Sequence, residues 1–211
     1  MQGEAIELVY QDGQLLVCVK PAGIPSEGEG EHTMTAVLAR QTGAPVWPVH
    51  RLDQAAAGLM VYARSRESAA ALSRGIAGGE MEKEYFALIS GVPEPPAGRM
   101  ENLLYHDARR GRVYPVDRMR KGVKPAALTY QTVESREGVS LVRVQLETGR
   151  THQIRVQFAS RKMPLLGDGK YGSRVKGGLM LWSCRLAFPH PKTGEKLCFF
   201  RPPQWEGWKA E

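Results

Sequence analysis

Two short segments of this 211-residue chain hold most of the side chains that could do chemistry. The first is His50-Arg51-Leu52-Asp53, an imidazole, a guanidinium and a carboxylate just ahead of the apolar run Leu59 to Ala63. Gly58 stands between them, where a close approach of two backbones is expected. A carboxylate at the edge of a buried strand needs a cation or hydrogen-bond donors. Arg51 is the local candidate cation and Arg155 a distant one. The carboxylate could act as a nucleophile or a general base. It could equally be a structural ion pair at a loop edge, and the spacing leaves both open. The second segment is Leu146-Glu147-Thr148-Gly149-Arg150-Thr151-His152-Gln153-Ile154-Arg155. If a helix starts there, its free N–H groups suit a phosphate, and His152 and Arg155 share one face. The plainer alternative is a solvated helical face, against which Ile154 and Val156 count.

The elements that must position these groups are partly legible. Leu15 to Val19 reads as a strand that stops at the turn Lys20-Pro21-Ala22-Gly23. Thr33 can cap a helix through Gln41, with Gly43 beyond its end. Pro45 and Pro48 force extended chain up to His50. Leu59 to Ala63 is apolar without alternation, as a buried strand is. Ser65 opens a helix that Gly78-Gly79 ends, and Tyr85 to Ile89 reads as a strand. Tyr105 to Pro125 carries Arg109, Arg110, Arg112, Arg118, Arg120, Lys121 and Lys124 against Asp107 and Asp117, and reads as a basic loop or irregular hairpin. Thr129 to Val133 and Leu141 to Leu146 alternate as strands around Gly138. Thr151 to Arg161 is read as helix, although its alternation also fits a strand. Leu179 to Phe188 and Lys196 to Phe200 form a closing hairpin. Trp205 and Trp208 are expected to cover a core edge, and Cys184 and Cys198 to be small buried residues. The pattern of meandering strands with two or three helices predicts an α+β fold with a mixed, largely antiparallel sheet and flanking helices.

Bulk properties narrow the classes of function. The formal net charge is +7 and the pI about 9.4, which favours polyanionic partners. Three scattered cysteines and five scattered histidines show no metal-ligand or redox spacing, so no metal site is expected. The segment Met1 to Tyr10 contains Glu4 and Glu7 and does not read as a secretory leader. No apolar run has the length of a membrane span. A single domain over residues 1–211, without a separate N-terminal module, cytoplasmic and monomeric, is the expectation.

Five motifs, in order, carry a resemblance. Lys20-Pro21-Ala22-Gly23, His50-Arg51-Leu52-Asp53, Lys83-Glu84-Tyr85 with Ala87 and Gly91, Gly149 to Val156 (GRTHQIRV), and Gly167-Asp168-Gly169-Lys170-Tyr171-Gly172 together resemble the RluA-type pseudouridine synthase family. Each is weak alone; five in family order are specific. The chain departs from the family pattern at Ala56, Ala57 and Gln157. The resemblance implies a pseudouridine synthase fold with a central RNA-binding catalytic cleft. It implies isomerisation of a uridine in ribosomal or transfer RNA, with no cofactor, and Asp53 as the catalytic carboxylate. Arg155 would be the cation beside Asp53, and Tyr85 would lie against the uracil. His50, Arg51, Arg150, His152 and Gln153 would contribute to substrate binding, and the basic segment Arg109 to Lys124 would hold RNA phosphates. Two other readings stay open: an inactive RNA-binding module of the same fold, and a small hydrolase built on Asp53 and His152.

Overall fold

The computed structural model describes residues 5–210; Glu4, one of the two acids that argued against a leader, lies outside them. In chain order the elements are β1 (Leu8–Gln11), β2 (Leu15–Lys20), α1 (Met34–Thr42), β3 (Trp47–Pro48), β4 (Ala57–Ala63), α2 (Arg66–Ala77), β5 (Glu82–Ser90), β6 (Ala97–Asp107), β7 (Arg112–Val116), β8 (Val123–Arg136), β9 (Val139–Leu146), α3 (Gln153–Ala159), β10 (Leu181–Pro189) and β11 (Lys196–Phe200). A 3₁₀ turn, Gly169–Tyr171, lies between α3 and β10. Contacts gather the chain into two compact units, residues 1–83 with 182–201, and residues 84–181 with 202–211.

In the first unit β2 lies between β1 and β4, antiparallel to both, and β4 runs parallel to β10, which pairs antiparallel with β11. Strand β4 is an interior strand, with β2 on one side and β10 on the other, and is buried from Gly58 to Ala63. This is why it reads as apolar without alternation. Leu15, Val17, Leu59, Val61, Leu72, Leu186 and Phe188 form the core of this unit. The expected caps are in place. Thr33 Oγ1 accepts from the Ala36 N–H and Ser65 Oγ from the Ser68 N–H, while Gly43 ends α1 in the left-handed conformation. Gly58 meets its expectation too. It has φ +113° and lies against the Ser183 backbone across the β4–β10 pair, where any Cβ would collide with it.

The second unit is an antiparallel meander in the order β5-β9-β8-β6-β7. The basic segment is more ordered than a loop. Its first half closes the β6–β7 hairpin, with Asp107 opposite Arg112, and its second half is the connection into β8. Strand β6 was not anticipated, because a proline-rich stretch precedes it and its residues are mixed in character. Strand β8 starts six residues earlier than its alternation suggested. Pro125 is tolerated there because its register partner is Leu103 of β6, and the β9 ladder begins only at Leu128. Helix α3 is shorter than expected. His152 precedes it with φ 52°, outside the helix, so His152 and Arg155 do not share a helical face as the sequence suggested. Gln153 to Phe158 are all buried, which removes the solvated-face reading. A seven-residue helix entered from a left-handed residue does not make the expected phosphate site at its start. One cysteine expectation also fails. Cys184 is buried, but Cys198 on β11, the outer strand of the β10–β11 pair, is exposed.

Candidate active site

In the first unit, Asp53 is half-buried on the turn between the extended chain after β3 and the start of β4. The Ala56 N–H donates to the Asp53 carbonyl at 3.0 Å and closes that turn. Two buried groups grip its backbone. Ser26 Oγ donates to the Leu52 carbonyl at 2.8 Å and accepts from the Leu52 N–H at 3.0 Å. Lys20, the last residue of β2, is fully buried, and its Nζ donates to the carbonyls of Pro21, Gln54 and Ala56 at 2.9, 3.1 and 2.7 Å. Burial lowers the Lys20 ammonium to about 8, and the Asp53 charge works in the opposite direction by favouring the cation. The turn that carries Asp53 therefore rests on a buried cation.

The neighbours of Asp53 in sequence take other roles. His50 Nε2 accepts from the Val61 N–H at 3.1 Å. Burial, helped by the Lys83 charge, pushes His50 down to about 3, so the ring is neutral near pH 7 with its proton on Nδ1. Nδ1 is buried and has no hydrogen-bond partner among the described residues. His50 thus orients the segment against β4. The Arg51 side chain is exposed and pairs loosely with Glu27 at 3.7 Å.

In the second unit, Tyr85 is buried on β5, opposite Val144 of β9. Arg155, on α3, is also buried and makes a two-pronged ion pair with Asp168: Nε to Oδ2 at 2.7 Å and Nη2 to Oδ1 at 2.9 Å. This planar fork is one a lysine could not make. The Arg155 guanidinium also lies 5.1 Å from the Tyr171 ring centre. Tyr171 Oη accepts from the Val113 N–H at 2.9 Å and shares a hydrogen bond with His152 Nδ1 at 2.8 Å. The buried Gln153 commits its amide to the corner between β8 and α3. Its Nε2 donates to the Ala127 carbonyl, and its Oε1 accepts from the Thr148 hydroxyl and the Arg150 N–H. Arg150 Nε donates to the Pro125 carbonyl at 2.9 Å. Along the hairpin and its exit, Arg109, Arg110, Arg118, Arg120, Lys121 and Lys124 are exposed. Arg112 is half-buried against the rings of Tyr114 and Tyr171.

Three participants escaped the sequence reading. The sequence shows Lys20 only as part of a turn, and Asp168 and Tyr171 only as letters of a motif. Nothing in a one-dimensional pattern marks a lysine or an aspartate as buried. The one available signal was that both lie inside short motifs with a glycine nearby.

The sequence model of the RNA pseudouridylate synthase family matches residues 14–160. An uncharacterized RNA pseudouridine synthase of Haemophilus influenzae is 33% identical over 173 residues, covering 81% of this chain and 75% of that protein. One from Aquifex aeolicus is 34% identical, covering 92% and 68%. The ribosomal large subunit pseudouridine synthase D of Vibrio cholerae is 32% identical, covering 93% and 67%. Among solved structures, human RNA pseudouridylate synthase domain containing 4 superposes with a TM-score of 0.78 at 24% identity, covering 94% of this chain and 89% of that one. This last likeness speaks to the fold, which is the pseudouridine synthase fold. Motifs, fold and relatives define an isomerase that acts on RNA. The chain belongs to the RNA pseudouridylate synthase family, in its RluA-type branch.

Proposed function

We propose that this protein converts a specific uridine of structured RNA to pseudouridine and that Asp53 is its catalytic carboxylate. The observation that carries this is the mounting of Asp53. It is the half-exposed acid of a turn whose backbone is bonded from below by the buried Lys20 ammonium and clamped by Ser26. A turn fixed in this way presents a carboxylate in one geometry, as chemistry at a single carbon requires. The reaction breaks the N–C glycosidic bond, turns the uracil and rejoins it through carbon; nothing is oxidised or added, so no cofactor is needed. Asp53 acts as nucleophile or base. Arg155 and Tyr85 are assigned to the uridine, Arg155 as the cation for the carboxylate and Tyr85 against the base. His152 and Arg150 are assigned to RNA, with Arg51 at the rim. His50 and Gln153 support the site from within the fold. The exposed cations between Arg109 and Lys124 hold phosphates and so offset the few kcal/mol that it costs to turn a stacked uridine outward. The name of the Vibrio relative favours ribosomal RNA, with transfer RNA as the other class. Work on such RNA would be done in the cytoplasm, where we expect the protein to act as a monomer.

The test is tritium release from RNA labelled at uracil carbon five, prepared from cells that lack this protein. Wild-type protein should release label, and Asp53→Ala should release none while keeping its affinity for RNA. No release from wild type, alongside RNA binding, would leave the chain as an RNA-binding module and make Ala56 and Ala57 the first residues to examine.

A further inference from the structure

Two of the depressions on the second unit carry opposite charges. One, of about 680 Å³, is lined by Glu101, Asp117 and Glu147 with Arg99 as its cation, and Arg99 is already paired with both glutamates. The other, of about 160 Å³, is lined by His106, Lys124, Arg150 and Thr151, with Leu104, Val113, Gly122 and Gly149 completing its wall. Among the described residues no carboxylate lines this smaller pocket. It is well below the ~300–1,000 Å³ of sites that engulf a whole small molecule, so it takes one group rather than one nucleotide. A small pocket with two cationic side chains, an imidazole, a hydroxyl and no acid suits a single phosphate.

We propose that this pocket is a phosphate subsite for one phosphodiester of the bound RNA. This rests on the functional reading above and deepens it. Lys124 and Arg150 are brought from separate segments to one point, and His106 and Thr151, to which that reading gave no phosphate, join them. Two features hold the pocket in shape before RNA arrives. Arg150 is tethered through Nε to the Pro125 carbonyl, so its terminal nitrogens are carried on a fixed stem. Val113, in the wall, is held through its N–H by Tyr171 Oη, the same oxygen that meets His152. Tyr171 is thereby a positioning residue for the pocket, joining the hairpin to the residue that precedes the arginine helix.

The experiment titrates a fluorescent oligouridylate against wild-type protein, Lys124→Gln, His106→Gln and, as a control for general charge, Lys192→Gln on the turn between β10 and β11. Each is measured over a series of salt concentrations, with thermal melts to show that the variants fold. A phosphate neutralised on a single strand contributes about 0.7 to the slope of log K against log salt. Lys124→Gln should lower the slope by about that amount and weaken binding at low salt several-fold. His106→Gln should weaken binding with a smaller change of slope, and Lys192→Gln should match wild type. An unchanged slope for Lys124→Gln, or an equal fall for Lys192→Gln, overturns the subsite. A titration with inorganic phosphate alone separates the two sources of the group. Phosphate bound in the pocket and not displaced by RNA would assign it to a free anion and overturn the proposal. These readouts are of binding, so loss of tritium release by the wild type would refute the isomerase reading without touching them.

Discussion

Lys20 shows how much one buried charge can organise. Its ammonium has three carbonyl partners, two of them within the three residues after Asp53. Lys20→Met keeps the apolar stem and removes the donors, leaving those carbonyls short of partners. A loss of about 2–4 kcal/mol in urea unfolding is expected. The pH dependence has a definite sign. Because Lys20 titrates at about 8 in the fold and at its ordinary 10.5 when unfolded, the folded chain binds fewer protons between those values. Its share of stability therefore rises as pH climbs from 8 to 10.5, and Lys20→Met should lack that rise. His50 works on the acid side. It titrates at about 3 in the fold against 6.5 unfolded, so its contribution is complete above pH 6.5 and is lost as pH falls toward 3. Urea midpoints at pH 7 and pH 5 should differ less in His50→Gln than in wild type.

At the scale of elements, the parallel pairing of β4 with β10 has little room for change. Gly58 faces Ser183 there with a positive φ, and a methyl group would meet Ser183 backbone atoms on a strand flanked on both sides. Neither strand can move away without breaking a ladder. Gly58→Ala should cost at least about 3 kcal/mol, or prevent folding, as measured by chemical denaturation. The prolines show the opposite freedom. Pro115 sits in β7, the outermost strand of its meander, and Pro125 where β8 has only β6 beside it, so neither interrupts a ladder on two sides. Their positions let a basic, proline-bearing segment that reads as loop fold as a hairpin.

At the scale of the molecule, the excess of 29 lysines and arginines over 22 acids gives the +7 charge. Much of that excess lies between Arg109 and Lys124, exposed and thinly matched by acids. Binding to RNA should therefore be steeply salt-dependent. If three to five phosphates are engaged on single-stranded RNA, a slope of roughly −2 to −3.5 in log K against log salt is expected. A slope near zero in that titration would remove the hairpin from the RNA-binding surface.

The sequence by itself determined the reaction-bearing motifs, the helix caps at Thr33 and Ser65, the buried run in β4 and the close approach at Gly58. Each of these depends on neighbours within a few residues: a cap needs its own first turn, and a buried strand needs an apolar run. It also determined the family, because five motifs in order constrain far more than any one. Only the tertiary structure decided where long-range partners fall. It paired Arg155 with Asp168, set Tyr171 between Val113 and His152, and put the Lys20 ammonium under the Asp53 turn. It also placed His152 outside α3, exposed Cys198 and made a strand of β6. A charged side chain is the same letter whether buried or exposed, and its partner can stand anywhere in the chain. The energy that selects the pairing comes from burial and geometry, which exist only once the chain has folded.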